Sequence, residues 1–386
     1  MRSSHSTALT YGLIFAATGV SLPFAGLWLE GQGLTGAEIA VILAAPMLAR
    51  IVTGPLLAVW ADGFQLRRSA LAWLAVVAAV SYGACALVEG FLPWLVLWFV
   101  ASTAAASLIP LMDALALRLA RRDGFAFSLP RGVGSLTFIA ANVAMGAILR
   151  TAAPAVILLW VVIATGLVAV AALAGPRETV AEEVEAPRGS RFEGLGRLVG
   201  DRTFMCAILA VSMIQAAHAF YYGFSAIAWR EQGISTRDVG LLWGFSVVVE
   251  LGLMWGLEPW RRRAGVGPMT MLAIGGAASL VRWTAMAFAP PLWLLWPLQG
   301  LHALSFAAVF LAALQIIERL APPGQSTAAQ MLYSSLSAGL LIGLATVVSG
   351  PLYDAYGVTG YLAMTGLAAA GLILALAIRE KIAVSD

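Results

Sequence analysis

The sequence predicts an all-α membrane protein of about twelve helices, built as two repeated six-helix halves. Composition is the first reason: 61% of the 386 residues are hydrophobic and only 11% are charged, whereas roughly a quarter of the residues in a soluble domain are charged. The second reason is a succession of apolar runs, each long enough to cross a bilayer. The third is a short loop that recurs after 200 residues.

The apolar runs follow one another with short connections, apart from one long polar stretch over 175–202. That stretch mixes acidic and basic residues with proline and glycine and divides the spans into six and six. We therefore expect an N-terminal half over 1–176, a cytoplasmic linker over 177–202 and a C-terminal half over 203–386. The predicted spans are 8–29, 37–61, 69–88, 93–117, 129–149, 153–174, 203–229, 237–257, 268–288, 291–318, 326–350 and 358–378.

The repeated loop pairs QGLTGAEIA at 32–40 with QGISTRDVG at 232–240. Each copy lies between the first and second span of its half, as duplication of a six-helix unit requires. The sequence therefore predicts two halves of the same architecture.

Most basic residues fall in alternate connections, with Arg150, Arg230 and Arg237 as the exceptions, and this pattern predicts the orientation of the chain. By the positive-inside rule both termini are cytoplasmic, in a multi-pass protein of the cell (inner or plasma) membrane. The net charge of +3 comes from short clusters rather than one basic tract, so no nucleic-acid partner is expected. The clusters lie at 67–68, 118–122, the linker, 261–263, 319 and 379–381.

No motif in the chain predicts an enzyme. There is no Ser-His or His-Glu-x-x-His arrangement and no nucleotide-binding loop, so neither catalysis nor direct use of ATP is expected. Cys85 and Cys206 lie inside apolar runs, where small buried packing residues are the simpler interpretation. We expect no catalytic residue, no metal site and no cofactor; the only ion expected to take part is the proton.

The connection after the second span carries a known signature. The cytoplasmic loop motif of the major facilitator superfamily, Gly-x-x-x-Asp-x-x-Gly-x-Arg-Arg, is matched at Asp62, Arg67 and Arg68, with Ala58 and Gln65 replacing its glycines. The chain thus resembles that superfamily, and the resemblance implies that the three charged residues form a cytoplasmic gate. Membrane topology alone would also account for the two arginines.

A more specific resemblance lies in the second half. The run QAAHAFYYGFSAI at 215–227, with Tyr-Ser at 333–334, is similar to the phenylpropionate permeases. Asp113 and Arg131 match the substrate-binding acid and arginine of the more distant lactose permease. His302 is also retained there, but Gln299 and Ser305 stand where lactose permease has a lysine and the proton-carrying carboxylate, so its proton mechanism does not simply carry over.

Five ionisable residues lie well inside apolar runs, where a charge costs about 2.5–3.5 kcal/mol on insertion scales. We expect them to face a polar interior and to pair, Asp113 with Arg131 and Glu250 with Arg282. The set has three positive and two negative charges, which favours an anionic substrate. Ion pairs that only fix helix register are the alternative. The five are Arg50, Asp113, Arg131, Glu250 and Arg282.

Histidine and aromatic residues lie close to these charges in sequence. His218 and His302 are candidates for carrying protons, or are hydrogen-bonded core residues. Four others are candidates for substrate contact, the aromatic ones by stacking on a ring, with packing as the alternative. These four are Gln215, Tyr221, Tyr222 and Trp283.

These observations favour a proton-coupled symporter of a small organic carboxylate, an aromatic acid among the candidates, working by alternating access. Arg131, with Arg282 or Arg50, would hold the carboxylate. Glu250 is the first candidate for the proton site, and Asp113 the second. The expected partners are a small anionic substrate and the bilayer, with the chain as a monomer. The alternatives are a sugar or nucleoside proton symporter, a drug exporter, a facilitator, and a membrane receptor that moves nothing.

Overall fold

The structure is a computed structural model and describes residues 3–176, 195–322 and 325–383. Helices and short connections make up this part of the chain, which contains no strand. The predicted all-α class is confirmed. Most of the predicted linker lies outside the described residues; its last part forms a short helix, α7 (Leu195–Gly200).

Each of the first six predicted spans is one continuous helix. Proline is tolerated inside three of them, because neighbouring helices and local adjustment compensate for the missing hydrogen bond. The helices are α1 (Ser3–Gly31), α2 (Gly36–Asp62), α3 (Arg67–Cys85), α4 (Phe91–Asp123), α5 (Ser128–Ile148) and α6 (Ala155–Ala174).

The later spans are more often interrupted. The seventh breaks between α8 (Arg202–Ala216) and α9 (Ala219–Glu231), and three others contain a π-helical segment, at Leu253–Leu257, Ala303–Ala308 and Ser335–Leu341. Such segments widen the helix and are frequent at functional sites. The other helices are α10 (Thr236–Gly252), α11 (Glu258–Arg263), α12 (Pro268–Met286), α13 (Leu292–Gly300), α14 (Val309–Leu320), α15 (Ser326–Ser334), α16 (Ile342–Tyr356) and α17 (Tyr361–Ala383).

Ten segments of the described chain are long and apolar enough to cross a membrane. One of them, Ala328–Glu380, is 53 residues long and covers the last two predicted spans. The predicted ninth span corresponds to α12, which is not among the ten. With that segment divided and α12 added, the helices coincide with the twelve predicted spans.

Contacts divide the chain into two compact units. Unit 1 consists of Met1–Ala186 and Ser225–Gly244; within it α1 packs on α5 and α6, and α3 packs on α4 and α6. Unit 2 consists of Pro187–Phe224 and Phe245–Asp386; within it α17 packs on α8 and α12, and α12 also packs on α14. The predicted division at 176 and 203, which rests on the polar stretch between the sixth and seventh spans, stays a prediction.

The repeated loop has the same local structure in both copies. Gly33 and Gly233 have φ of +83° and +81°, a conformation that glycine adopts without a steric penalty. Helix α2 then begins with the Thr35 hydroxyl accepting from the backbone N–H of Glu38, while Ser235 caps α10 through the N–H of Asp238 at 3.2 Å. The turn and cap chemistry of the sequence is therefore repeated in the fold.

Candidate functional site

A charged cluster in unit 1 joins α1, α4 and α5. The Arg131 Nε lies 3.6 Å from Asp113 Oδ1, so the predicted pair is present as an ion pair, although the atoms are too far apart for a hydrogen bond. The Tyr11 hydroxyl donates to the same oxygen at 2.5 Å. Tyr11 is fully buried, whereas the side chains of Asp113 and Arg131 are about one-third exposed.

Aromatic rings also fix the position of Arg131. Its guanidinium carbon lies 4.4 Å from the centre of the Phe15 ring and 5.6 Å from that of Tyr11, within the range of cation–π attraction. Among the described residues, its two terminal nitrogens make no hydrogen bond. A partly exposed guanidinium with a free fork matches the bidentate geometry of a carboxylate ligand.

Arg50 lies halfway along α2 and is exposed. It forms no ion pair with any residue in the described ranges, and its exposed neighbours Val52 and Leu56 are apolar. The structure therefore does not bring Arg50 into the cluster of Asp113 and Arg131. Its predicted role in substrate binding stays a prediction.

A second cluster, in unit 2, is centred on Arg282 of α12, which is fully buried. The guanidinium donates to Gln299 Oε1 at 2.8 Å and to Ser305 Oγ at 3.3 Å, and it is 3.0 Å from His302 Nδ1. It also lies 4.7 Å and 4.4 Å from the ring centres of Tyr221 and Trp283. These contacts orient the charge without a direct carboxylate partner in the cluster.

His302 lies between Arg282 and Glu250, the two residues that the sequence predicts to pair directly. Because a guanidinium can only donate, His302 Nδ1 must accept, and the neutral ring then carries its proton on Nε2. That nitrogen is 3.7 Å from Glu250 Oε2. The predicted direct ion pair of Glu250 with Arg282 is therefore not formed. The ring of His302 lies between the two charged groups, hydrogen-bonded to Arg282 but too far from Glu250 for a hydrogen bond.

His218 lies at the break between α8 and α9. Its Nδ1 is 3.0 Å from the backbone oxygen of Gln215, and its Nε2 is 3.4 Å from Ser305 Oγ. The side-chain Nε2 of Gln215 donates to the backbone oxygen of Phe306, inside the π-helical segment Ala303–Ala308, at 3.2 Å. The break between α8 and α9 therefore contacts the π-helical segment Ala303–Ala308, next to Arg282.

The predicted aromatic candidates share this cluster. The Tyr221 hydroxyl donates to Gln299 Oε1 at 3.2 Å, and the ring centres of Tyr222 and Trp283 lie 5.8 Å and 4.9 Å from that of His218. Tyr221 and Trp283 are fully buried. Their arrangement serves to hold Arg282 and His218, and a direct substrate contact by either ring stays a prediction.

The predicted gate residues lie in unit 1. Asp62 and Arg67 form an ion pair, and the Arg68 guanidinium donates to the backbone oxygens of Leu173 at 2.8 Å and Gly175 at 2.5 Å. A cation at these carbonyls is favoured by the dipole of α6. Arg68 therefore caps a helix, in addition to any part in gating.

Four residues of the two clusters are not predicted as site residues by the sequence. Gln299 and Ser305 differ from the residues of lactose permease at these positions and carry no further signal. Tyr11 and Phe15 carry no sequence signal, since an aromatic residue in an apolar span is ordinarily a packing residue. Only the packing of α1 against α5, nearly 120 residues later, brings them to Arg131.

Comparisons with known proteins agree with this architecture. Residues 5–362 match the family model described as "MFS_1 like family". An Escherichia coli protein described as a probable 3-phenylpropionic acid transporter is 31% identical over 379 residues, which cover 96% of this chain and 97% of the relative. The maltose permease of Geobacillus stearothermophilus is 28% identical, over 97% of this chain and 95% of that protein.

The fold is also that of solved transporters. The nucleoside transporter NupG has a TM-score of 0.85 and 17% identity, covering 98% of this chain and 99% of that one. A POT family peptide transporter has a TM-score of 0.71 and 14% identity, over 98% and 96% of the two chains. These relatives are transporters and not enzymes. The chain belongs to the MFS_1-like family and is a multi-pass membrane transporter of the major facilitator type.

Proposed function

We propose that the protein is a proton-coupled symporter of a small organic carboxylate, and that an aromatic acid such as 3-phenylpropionate is its substrate. One observation carries this proposal: Arg131 is partly exposed, is fixed by Phe15, and has a terminal fork without a hydrogen bond among the described residues. A substrate carboxylate fills that fork bidentately, and the aromatic neighbours suit a ring.

The similarity to the Escherichia coli protein supports the same substrate class, since that protein is described as a probable 3-phenylpropionic acid transporter. The guanidinium of Arg131, held beside aromatic rings, also supplies the positive charge that an anionic ligand requires.

The proton site in this proposal is Glu250 with His302. Protonation of Glu250 removes the charge that faces His302 Nε2, and protonation of His302 itself requires its Nδ1 to give up the bond to Arg282. Either event raises the attraction of Arg282 for an anion. By linkage, a bound anion then favours the proton to the same extent, which is symport. Asp113 is the second candidate for the proton. No cofactor takes part beyond this ion.

Transport in this proposal proceeds by alternating access of the two repeated halves, in a monomer with both termini on the cytoplasmic side of the cell membrane. Asp62, Arg67 and Arg68 rearrange as part of the cytoplasmic gate. Their contacts with each other and with the end of α6 are the bonds that would change.

A sugar substrate is the second candidate, because the maltose permease aligns with 97% of this chain. A neutral sugar does not need the free fork of Arg131, and this difference separates the two hypotheses. NupG shares the fold at 17% identity, so a nucleoside belongs in the same comparison.

The test is the initial rate of uptake of labelled 3-phenylpropionate into proteoliposomes, with and without an inward proton gradient. Protein-free liposomes are essential, because the neutral acid crosses bilayers and accumulates in an alkaline interior. We expect gradient-driven uptake above that background, its loss in Arg131→Gln, and its retention in the control Arg150→Gln. Uptake of labelled maltose or uridine, insensitive to Arg131→Gln, would favour the alternatives.

A further inference from the structure

We propose that Tyr11 is a positioning residue that holds Asp113 away from Arg131 and thereby keeps the arginine available to an anionic substrate. The inference rests on the proposed function, because it assigns the residue that sets the substrate class of the Arg131 site. It concerns a side chain that does not itself need to touch the substrate.

The geometry around one oxygen atom is the main observation. Asp113 Oδ1 accepts from the Tyr11 hydroxyl at 2.5 Å, while the Nε of Arg131 lies 3.6 Å from the same atom. The first distance is that of a strong O–H···O⁻ hydrogen bond and the second is outside hydrogen-bonding range. The carboxylate is therefore bound by the tyrosine and only attracted by the arginine.

Tyr11 is well suited to fix the carboxylate. It is fully buried, and its ring packs edge-on against Phe127 with 6.4 Å between the ring centres. A buried ring with two χ angles loses little freedom when its hydroxyl forms a bond. The position of the hydroxyl, and with it that of Asp113, is thus set by the packing of α1.

Arg131 is fixed independently of Asp113. The Phe15 ring lies under the guanidinium at 4.4 Å, so the arginine does not need the carboxylate to stay in place. Loss of the Tyr11 hydroxyl removes the hydrogen bond that Asp113 makes to it. The carboxylate then gains most by closing onto the free fork of Arg131 as a bidentate pair.

The two arrangements suit different ligands. With Asp113 held by Tyr11, the fork of Arg131 is open and binds a carboxylate. With Asp113 on the fork, the pair is electrically neutral, its donors are occupied, and an anion must displace the aspartate. Tyr11 therefore determines whether this pair presents a cation or a neutral ion pair to the substrate.

The experiment measures the Kd of 3-phenylpropionate for the purified full-length protein by calorimetry, in Tyr11→Phe, Asp113→Asn and the double variant. We expect Tyr11→Phe to weaken binding about tenfold, the equivalent of one charge-assisted hydrogen bond. The double variant should bind as Asp113→Asn does, because the competing carboxylate is gone. The matched control is Tyr82→Phe, another buried tyrosine of unit 1, whose hydroxyl meets Ser102 at 2.9 Å.

Asp113→Glu tests the same idea with Tyr11 intact. Its side chain is one methylene longer, so its carboxylate reaches Arg131 and should also weaken binding, with little change in melting temperature. A wild-type Kd in Tyr11→Phe would overturn the role of Tyr11. A loss of affinity in Tyr11→Phe that persists on the Asp113→Asn background would overturn it as well. Absence of carboxylate binding by the wild type is a separate result and overturns the proposed function.

Discussion

Arg230 donates to Glu30 at 2.5 Å, and the two residues occupy the same position in the two repeats, 200 residues apart. Each is followed, three residues later, by a turn glycine with positive φ, Gly33 or Gly233. Equivalent positions of a duplicated unit have thus acquired opposite charges and bind each other. The ion pair joins the end of α1 to the end of α9 within unit 1.

A charge swap should show that this contact is a true pair. Both side chains are partly exposed, so the bond contributes about 0–1 kcal/mol, but Glu30→Arg places two guanidinium groups together. We expect Glu30→Arg to lower the melting temperature in detergent and Glu30→Arg/Arg230→Glu to restore it. Glu89→Arg, at an exposed loop position, is the control. A double variant as unstable as the single one would contradict the prediction.

The crossing of α5 and α10 in unit 1 depends on glycine. A Cβ atom on Gly240 would collide with the backbone oxygen of Asn142, and Gly146 and Gly240 face each other at the same crossing. Gly240→Ala should therefore destabilise the protein by about 1–3 kcal/mol, the usual result of overpacking. Gly252→Ala, in the same helix but with open space around its Cβ position, should be neutral or stabilising. Thermal melting of both variants tests this, and equal melting temperatures would refute it.

Glu250→Gln separates binding from coupling. Glutamine keeps the size of the side chain but carries no titratable proton, so the link through His302 to Arg282 no longer responds to pH. We expect exchange of 3-phenylpropionate between the two sides to continue, while uptake no longer responds to the proton gradient beyond the protein-free background. Counterflow and gradient-driven uptake are compared in the same proteoliposomes. Gradient-driven accumulation that survives in Glu250→Gln would assign the proton elsewhere, with Asp113→Asn as the next variant.

The residues of the site are most predictable where the cost of burying a charge is large. An unpaired charge in an apolar span is expensive, and this alone selects Arg50, Asp113, Arg131, Glu250 and Arg282 as groups that must find partners, although Arg50 forms no ion pair among the described residues. The ion pair of Asp113 with Arg131 is confirmed by the structure. The class and the spans followed from apolar run length, because the bilayer leaves few alternatives.

The hydrogen-bond partners of Arg282 cannot be predicted from the cost of burying its charge. A guanidinium has five donors, and the cost of burial does not decide between an acid and several neutral acceptors. His302 and Gln299 reach Arg282 because α13 and the π-helical turn after it place them there. A π-helical turn shifts the register of the side chains after it and leaves no clear mark in the hydrophobic pattern.

The repeat extends further than the one loop that revealed it. The Tyr82 hydroxyl meets Ser102 in the first half, and Arg282 meets His302 in the second, and these pairs are again related by 200 residues. Equivalent positions of the two repeats therefore form a hydrogen bond between neutral side chains in unit 1 and a hydrogen bond from a charged guanidinium in unit 2. Only matched positions in the structure reveal this, because the residue types have diverged completely.

Replacement of Arg282 by lysine should remove function even though the positive charge remains. Lysine presents a point charge in place of a planar fork and cannot bond to Gln299, His302 and Ser305 together in this geometry. Each buried group left without a partner costs about 1–3 kcal/mol, so Arg282→Lys should melt at a lower temperature and lose proton-coupled uptake.

Arg263→Lys, at an exposed position, provides the matched control and should behave as the wild type does. The pH dependence of uptake makes the comparison specific to the hydrogen-bonded cluster. Without the guanidinium bond to Nδ1, His302 is free to take a proton on either nitrogen, and any remaining uptake should change its dependence on pH. If Arg282→Lys retains both the uptake rate and its pH profile, charge alone is sufficient and the oriented fork has no part in coupling.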